Sequence, residues 1–284
     1  MAALKNSLLV ISIVGVTALL AAIMDSHHAQ SYMLWCFALT TLVHLLIAAP
    51  SLLLQTERWY DLTGSIAVMT MLIAATIWAR PVDVRSGVML AFAMLWTVRL
   101  GGFLFYRVRQ VGHDRRFADM KQSPSRFAIA WAMSATWTFV TIMPVLAVTF
   151  SAGHAPLSWW GILLCVCWLL CFAGECTADW QKWRFKQSQP TQPFITSGLW
   201  AYSRHPNYAA EIGLWSLMAL LAIPLLSGAY YLALLSPIFV YWLLTQVSGV
   251  NLLEAANDKR FGDISAYQQY KTQTPRLWPW WRRQ

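Results

Sequence analysis

Eight long apolar stretches, separated by short polar segments, limit what this chain can become more than any other feature. They run over 7–24, 32–54, 62–78, 88–106, 127–150, 159–174, 208–226 and 230–250. A helix needs about 20 apolar residues to cross the hydrocarbon core of a bilayer. Most of the stretches meet that length. The third and sixth are short, so seven spans is the alternative count. Only Ser227-Gly228-Ala229 separates the last two, as in the turn of a helical hairpin. Charged residues make up 12% of the chain, against about 25% in an ordinary soluble domain. So few charges could not cover a water-facing surface. The prediction is an all-α, polytopic membrane helical bundle. Residues 1–284 form a single integral membrane domain, in which 251–284 is an amphipathic cytoplasmic tail. A disordered chain, a secreted disulfide scaffold and a typical cytosolic enzyme are excluded.

The net charge is +9. In a soluble protein this would suggest nucleic acid. In a membrane protein it is expected of cytoplasmic loops, which collect Lys and Arg, and no nucleic-acid partner is needed. With eight spans and the N-terminus inside, Arg80 and Arg85 are the basic residues left outside. Arg99 lies within a span, and the remaining Lys and Arg residues fall on the cytoplasmic side. Both termini are therefore expected in the cytoplasm. The first stretch, 18 apolar residues after Lys5, exceeds the roughly 7–15 residues of a signal-peptide core. It reads as a retained span.

Conventional soluble-enzyme chemistry is missing. Cys36, Cys165, Cys167, Cys171 and Cys176 form no CxxC pair and have no nearby His in sequence. They read as small packing residues rather than metal ligands. No HExxH, P-loop, GxGxxG or GxSxG is present.

The polar residues that remain gather at the span ends. In Gly198-Leu199-Trp200-Ala201-Tyr202-Ser203-Arg204-His205-Pro206-Asn207-Tyr208-Ala209-Ala210-Glu211, Pro206 suits the first turn of a helix. The free N–H groups at that helix start, with Arg204 and His205 before it, suit an anion. Asn207 and Glu211 share a helix face, with Tyr208 adjacent. Glu211 sits where a carboxylate needs a partner or a task. In Glu175–Lys186, the side chains of Glu175, Asp179, Lys182 and Lys186 fall on one helical face. They read equally as a solvated, ion-paired face or as a grip on ribose and phosphate. Gln55-Thr56-Glu57-Arg58-Trp59-Tyr60-Asp61 reads by itself as a short polar loop. Arg99 lies about 12 Å deeper along its helix than Arg107. With Arg107, Arg109, His113, Asp114, Arg115 and Arg116 it reads either as a phosphate grip or as positive-inside charge.

The 198–211 motif resembles the C-terminal signature of the steroid 5-alpha-reductase family, and more closely that family's bacterial branch. The 179–186 helix, the 57–64 segment and the 107–116 loop are similar to it as well. The resemblance covers roughly 50–280. It implies a multi-span helical enzyme that uses NADPH to reduce a C=C bond conjugated to a carbonyl in a steroid-like or other lipid substrate. By matching motif, Asp179, Lys186, Tyr202, Asn207, Tyr208 and Glu211 would contact the cofactor, and Arg99, Arg107, Lys182, Arg204 and His205 join them from the phosphate and anion readings above. Arg204 and His205 replace small residues of the steroid enzymes. Glu57 would polarise the substrate carbonyl, which requires a neutral carboxyl raised in pKa by burial, with Gln55 and Tyr60 beside it. The steroid enzymes carry a Tyr three residues before an Arg in a middle span. Here Trp96 precedes Arg99, and an indole cannot act as an acid, which argues against a 3-keto steroid. The alternative is a membrane methyltransferase of the isoprenylcysteine carboxyl methyltransferase type, which shares an Arg-His-Pro-x-Tyr motif and uses S-adenosylmethionine.

Overall fold

The computed structural model describes residues 2–26, 28–79, 81–111, 117, 120–151, 153, 155–188 and 192–278. Arg80, His113, Asp114, Arg115, Arg116 and residues 279–284 lie outside the described residues. Among the described residues the regular structure is helical, with no strand. Eight segments are long and apolar enough to cross a membrane. The chain is a multi-pass membrane protein with the expected number of spans.

The helices are α1 (Ala2–Asp25), α2 (Tyr32–Leu53), α3 (Tyr60–Trp78), α4 (Val84–Val111), α5 (Pro124–Phe150), α6 (Trp159–Gln187), α7 (Pro206–Ala222), α8 (Leu235–Trp242), α9 (Val250–Phe261) and α10 (Ser265–Gln273). The last apolar segment extends from Gly228 to Phe261, further than its hydropathy alone suggests. It is not one continuous helix. A 3-10 stretch, Gly228–Leu234, leads into α8, and a π turn, Leu243–Val247, separates α8 from α9. The chain folds as two compact units. One is Met1–Leu157 with Leu221–Ser236, and the other is Ser158–Leu220 with Pro237–Gln284.

In the first unit α5 is the central helix, packed by α1, α2, α3 and α4. From Ala135 to Phe150 it is almost wholly buried. Lipid gives helices no hydrophobic reason to associate, so small and hydroxyl-bearing residues hold them together. Thr17 and Thr136 hydroxyls meet at 3.0 Å, and Thr40 and Thr138 at 2.8 Å. The ring nitrogens of buried His44 reach the Thr40 carbonyl at 2.8 Å and the Ser134 hydroxyl at 3.0 Å. The first must be a donation, so Nε2 accepts from Ser134. Arg85 is buried and donates to the carbonyls of Ala155, Pro156 and Leu221 at 3.3, 2.8 and 2.9 Å. A residue that the sequence places in an outer loop is thus a clamp across three chain segments.

In the second unit α6 starts at a capped end, where the Ser158 hydroxyl accepts from Gly161 N–H at 3.3 Å. Its apolar face leaves Trp159, Trp160, Leu169 and Leu170 exposed, as a lipid-facing helix should. Cys165, Cys167, Cys171 and Cys176 are free thiols along it. Tyr267 and Tyr270 from α10 and Phe261 from α9 pack their rings around Phe194, with centroids 5.3–5.9 Å away.

Candidate functional site

The second unit gathers most of the expected cofactor residues, because the turn before α7 is pinned from two sides. Gly198 has φ +63°, a left-handed conformation that glycine adopts without steric cost. Any side chain there would also collide with the Gln181 amide. That amide oxygen accepts from Leu199 N–H at 3.0 Å, and the Trp200 indole donates to the Ala178 carbonyl at 3.1 Å. The Lys182 ammonium lies 4.5 Å from the Trp200 ring centroid. From the tail, Tyr270 donates to the Trp200 carbonyl at 2.7 Å, and Arg204 N–H donates to the Pro275 carbonyl at 2.9 Å. Burial pushes the Tyr270 phenol up in pKa, so it stays a donor.

This fixed turn presents Arg204 and His205 to Glu254 of α9. The Arg204 guanidinium donates to Glu254 Oε2 at 2.5 Å, and His205 Nε2 lies 2.7 Å from Glu254 Oε1. The His205 ring stacks parallel to Tyr208, with centroids 5.9 Å apart. Burial holds the His205 pKa below its usual value, against the pull of Glu254. One turn on, Asn207 Nδ2 donates to Asp179 Oδ1 at 3.1 Å, which joins α7 to α6. Glu211 is buried a further turn along α7. Tyr202 and Lys186 stand on exposed surface.

Three buried polar atoms within four residues have no hydrogen-bond partner among the described residues: Arg204 Nε, His205 Nδ1 and Asn207 Oδ1. Such atoms normally find partners, and each unmet one is costly. A nucleotide, with hydroxyl, amide and phosphate groups, offers the donors and acceptors that these atoms lack. The residues therefore fit a nucleotide cofactor. The pair with Glu254 also offsets the Arg204 charge.

The remaining expected residues belong to the first unit. Gln55 follows the end of α2 with φ +48°, a rare conformation for a residue with a side chain. Thr56 N–H returns to the Ser51 carbonyl at 3.0 Å, which completes a helix stop that usually carries Gly at the position of Gln55. Glu57 is 7% exposed, and Lys121 Nζ donates to its Oε2 at 2.8 Å. An adjacent cation favours the ionised carboxylate, so the hydrogens of this pair reside on Lys121. Tyr60 donates to the Ala130 carbonyl at 2.9 Å and packs on Phe117 and Trp131, which ties α3 to α5. Arg107 approaches Asp61 at 3.9 Å, while Arg99 lies deeper along α4, 5.7 Å from the Phe103 ring centroid. Among the described residues no group of His, Cys, Asp and Glu could hold a metal ion.

Glu254 and Lys121 were not expected from the sequence. Glu254 carries the same signal as Glu211, a lone carboxylate against an apolar run, in Val250-Asn251-Leu252-Leu253-Glu254. Nothing in the sequence around Lys121 marks it out.

The sequence profile of the DUF1295 family, described as a protein of unknown function, matches residues 47–274. The chain belongs to the DUF1295 family. The match contains Gln55, Glu57 and the whole of 198–211, so the residues singled out above lie inside what defines this family. No curated protein and no solved structure matches the chain.

Proposed function

We propose that this DUF1295 protein is an NADPH-dependent membrane oxidoreductase similar to the steroid 5-alpha-reductases. It reduces a C=C bond conjugated to a carbonyl in a lipid-like substrate, with both termini in the cytoplasm. The observation that carries this reading is the set of unpartnered buried atoms on Arg204, His205 and Asn207 at the start of α7. Bound NADPH would supply a hydride to the β carbon of the enone, and a proton added at the α carbon completes the reduction. Asp179 and Asn207 bind ribose or amide groups, and Lys182 and Lys186 counter phosphate charge. The carbonyl oxygen gains negative charge as hydride arrives, and a donor aimed at it contributes roughly 2.7–4 kcal/mol. In this reading Lys121 brings the proton and Glu57 holds Lys121 in place or relays that proton.

The near-neutral Arg204–Glu254 pair also suits a zwitterion, which keeps S-adenosylmethionine as the second reading. A thermal-shift comparison of NADPH, NADH and S-adenosylmethionine on the purified protein separates them. A ligand at about 100 times its dissociation constant adds about 2.7 kcal/mol. Stabilisation by NADPH is expected, and stabilisation by S-adenosylmethionine alone would replace the reductase with a methyltransferase. In single-turnover NADPH oxidation with an enone lipid, Glu57→Ala and Lys121→Met should each lose roughly 10²-fold or more. Glu57→Gln should retain more than Glu57→Ala. Wild-type rates in both would remove the pair from the chemistry.

A further inference from the structure

We infer that Glu254 fixes His205 in the tautomer that carries its hydrogen on Nε2, so that the bare Nδ1 lone pair accepts a hydrogen bond from an N–H or O–H group of the bound nucleotide. Glu254 is a positioning residue here, and His205 is the ligand contact. The inference rests on the nucleotide reading above and adds to it the direction of one hydrogen bond and the residue that sets it.

The argument starts from Glu254. Arg204 occupies its Oε2 at 2.5 Å, and a guanidinium at that distance keeps the carboxyl ionised. An ionised carboxylate can only accept. His205 Nε2, 2.7 Å from Oε1, must therefore donate. His205 is 2% exposed, and burial together with the nearby Lys182 and Arg204 charges opposes a second proton on the ring. A neutral imidazole that donates through Nε2 has a lone pair and no hydrogen on Nδ1. That atom is buried and has no partner among the described residues. Stacking against Tyr208 further limits rotation of the ring. Asn207 follows the same logic two residues on. Its amide N–H₂ is committed to Asp179, which leaves its buried oxygen as a second acceptor. Two acceptors ask for donors, and a neutral nucleotide group supplies them: a ribose hydroxyl or a carboxamide N–H₂. A phosphate oxygen has no hydrogen to give.

Removing the charge of Glu254 should reverse the arrangement. In Glu254→Gln the guanidinium claims the amide oxygen, so the amide N–H₂ faces His205 Nε2. The imidazole must then accept there and carry its hydrogen on Nδ1. The variant keeps nearly the shape of the wild type but presents the ligand with a donor where it had an acceptor.

Arg-His occurs once in the sequence, at 204–205. Carbonyl-13C arginine combined with 13C,15N histidine therefore selects the His205 amide in NMR of the wild-type protein in lipid nanodiscs, and transfer along the His205 carbons carries that selection to its ring nitrogens. At pH 7.5 the free protein should show a protonated Nε2 and an unprotonated Nδ1. Saturating NADPH should move the Nδ1 resonance and leave Nε2 protonated. Glu254→Gln should exchange the two states and weaken NADPH about tenfold, near the upper end of one hydrogen bond's worth. A hydrogen on Nδ1 in the free wild type, or an Nδ1 resonance unmoved by NADPH that demonstrably binds, would overturn the inference and leave the reductase reading standing. If only S-adenosylmethionine binds and moves Nδ1, the tautomer assignment stands and the reductase reading falls. If neither nucleotide binds, both fall.

Discussion

His44 and His205 are the same residue type at nearly the same burial, 3% and 2% exposed, and they differ in what is left over. Both ring nitrogens of His44 are used, on the Thr40 carbonyl and the Ser134 hydroxyl. His205 spends one nitrogen on Glu254 and leaves the other unmet. The contrast extends to the neighbours of each. In the first unit the buried threonine pairs and Arg85 close their hydrogen bonds within the protein. Around the start of α7, Arg204 and Asn207 each keep an unmatched atom. An ionisable residue inside a membrane protein is often taken as a mark of function. Burial alone does not separate adhesive from site, and neither does a single unmet atom, since Trp131, Thr141 and Tyr230 of the first unit each keep one. What sets the start of α7 apart is three such atoms within four residues.

The largest test of this contrast is Arg85→Met. It strips donors from three carbonyls at once, and at about 1–3 kcal/mol for each buried group left unmet the loss should reach at least about 3 kcal/mol. Thermal unfolding in detergent would register it. Nucleotide affinity per folded molecule should hold, and a matching loss of affinity would erase the distinction between the two regions. The next test sets the histidines against each other. His44→Leu should cost about 1–3 kcal/mol of stability, because Ser134 and the Thr40 carbonyl lose their partner, and leave NADPH affinity alone. His205→Ala strips Glu254 of a donor and so costs stability on a similar scale, but it alone should weaken NADPH binding, about tenfold. If both variants bind NADPH alike, the unmatched nitrogen carries no information.

Gln55→Gly is a smaller effect of opposite sign. Relief of the left-handed backbone is worth about 1–2 kcal/mol, less about 0.4–1 kcal/mol for the freer unfolded chain. The variant should be slightly more stable than the wild type and slower in enone reduction. Gain in stability with full activity would mean that the Gln55 side chain has no task. The smallest effect is in pH. The folded-state pKa of His205 lies below the unfolded value of about 6.5. As pH falls through that value the unfolded chain takes up the proton first, so stability declines with acidification. Melting temperatures at pH 7.5 and 5.5 should differ by less in a His205→Gln variant than in the wild type.

The spans were legible because the bilayer imposes a length and an apolar composition on each of them, and every span begins or ends within a few residues of its hydropathy signal. The turn before α7 was legible through Pro206 and the crowd of polar residues around it. The pairing of Asp179 with Asn207 was implicit in the two helix faces, but no spacing rule could join α6 to α7. Glu254 was out of reach for a different reason. It lies 49 residues from His205, beyond a break in the helix that hydropathy does not register. The clamp formed by Arg85 was out of reach because its carbonyl partners, on Ala155, Pro156 and Leu221, come from segments remote in sequence.

That break gives the chain a frame-shift point. Ser248 N–H reaches back to the Leu243 carbonyl at 2.9 Å, and Gly249 passes so close to the Leu244 carbonyl that a side chain there would strike it. The heading of α9, and with it the identity of the residue delivered to Arg204 and His205, is set over these few positions. An insertion or deletion of one residue between Leu243 and Val250 would turn all of α9 by about 100°. Leu253 or Ala255 would then arrive where Glu254 now stands. A lineage could in this way exchange an acid for an alkyl group beside the turn before α7 without substituting any residue of that turn.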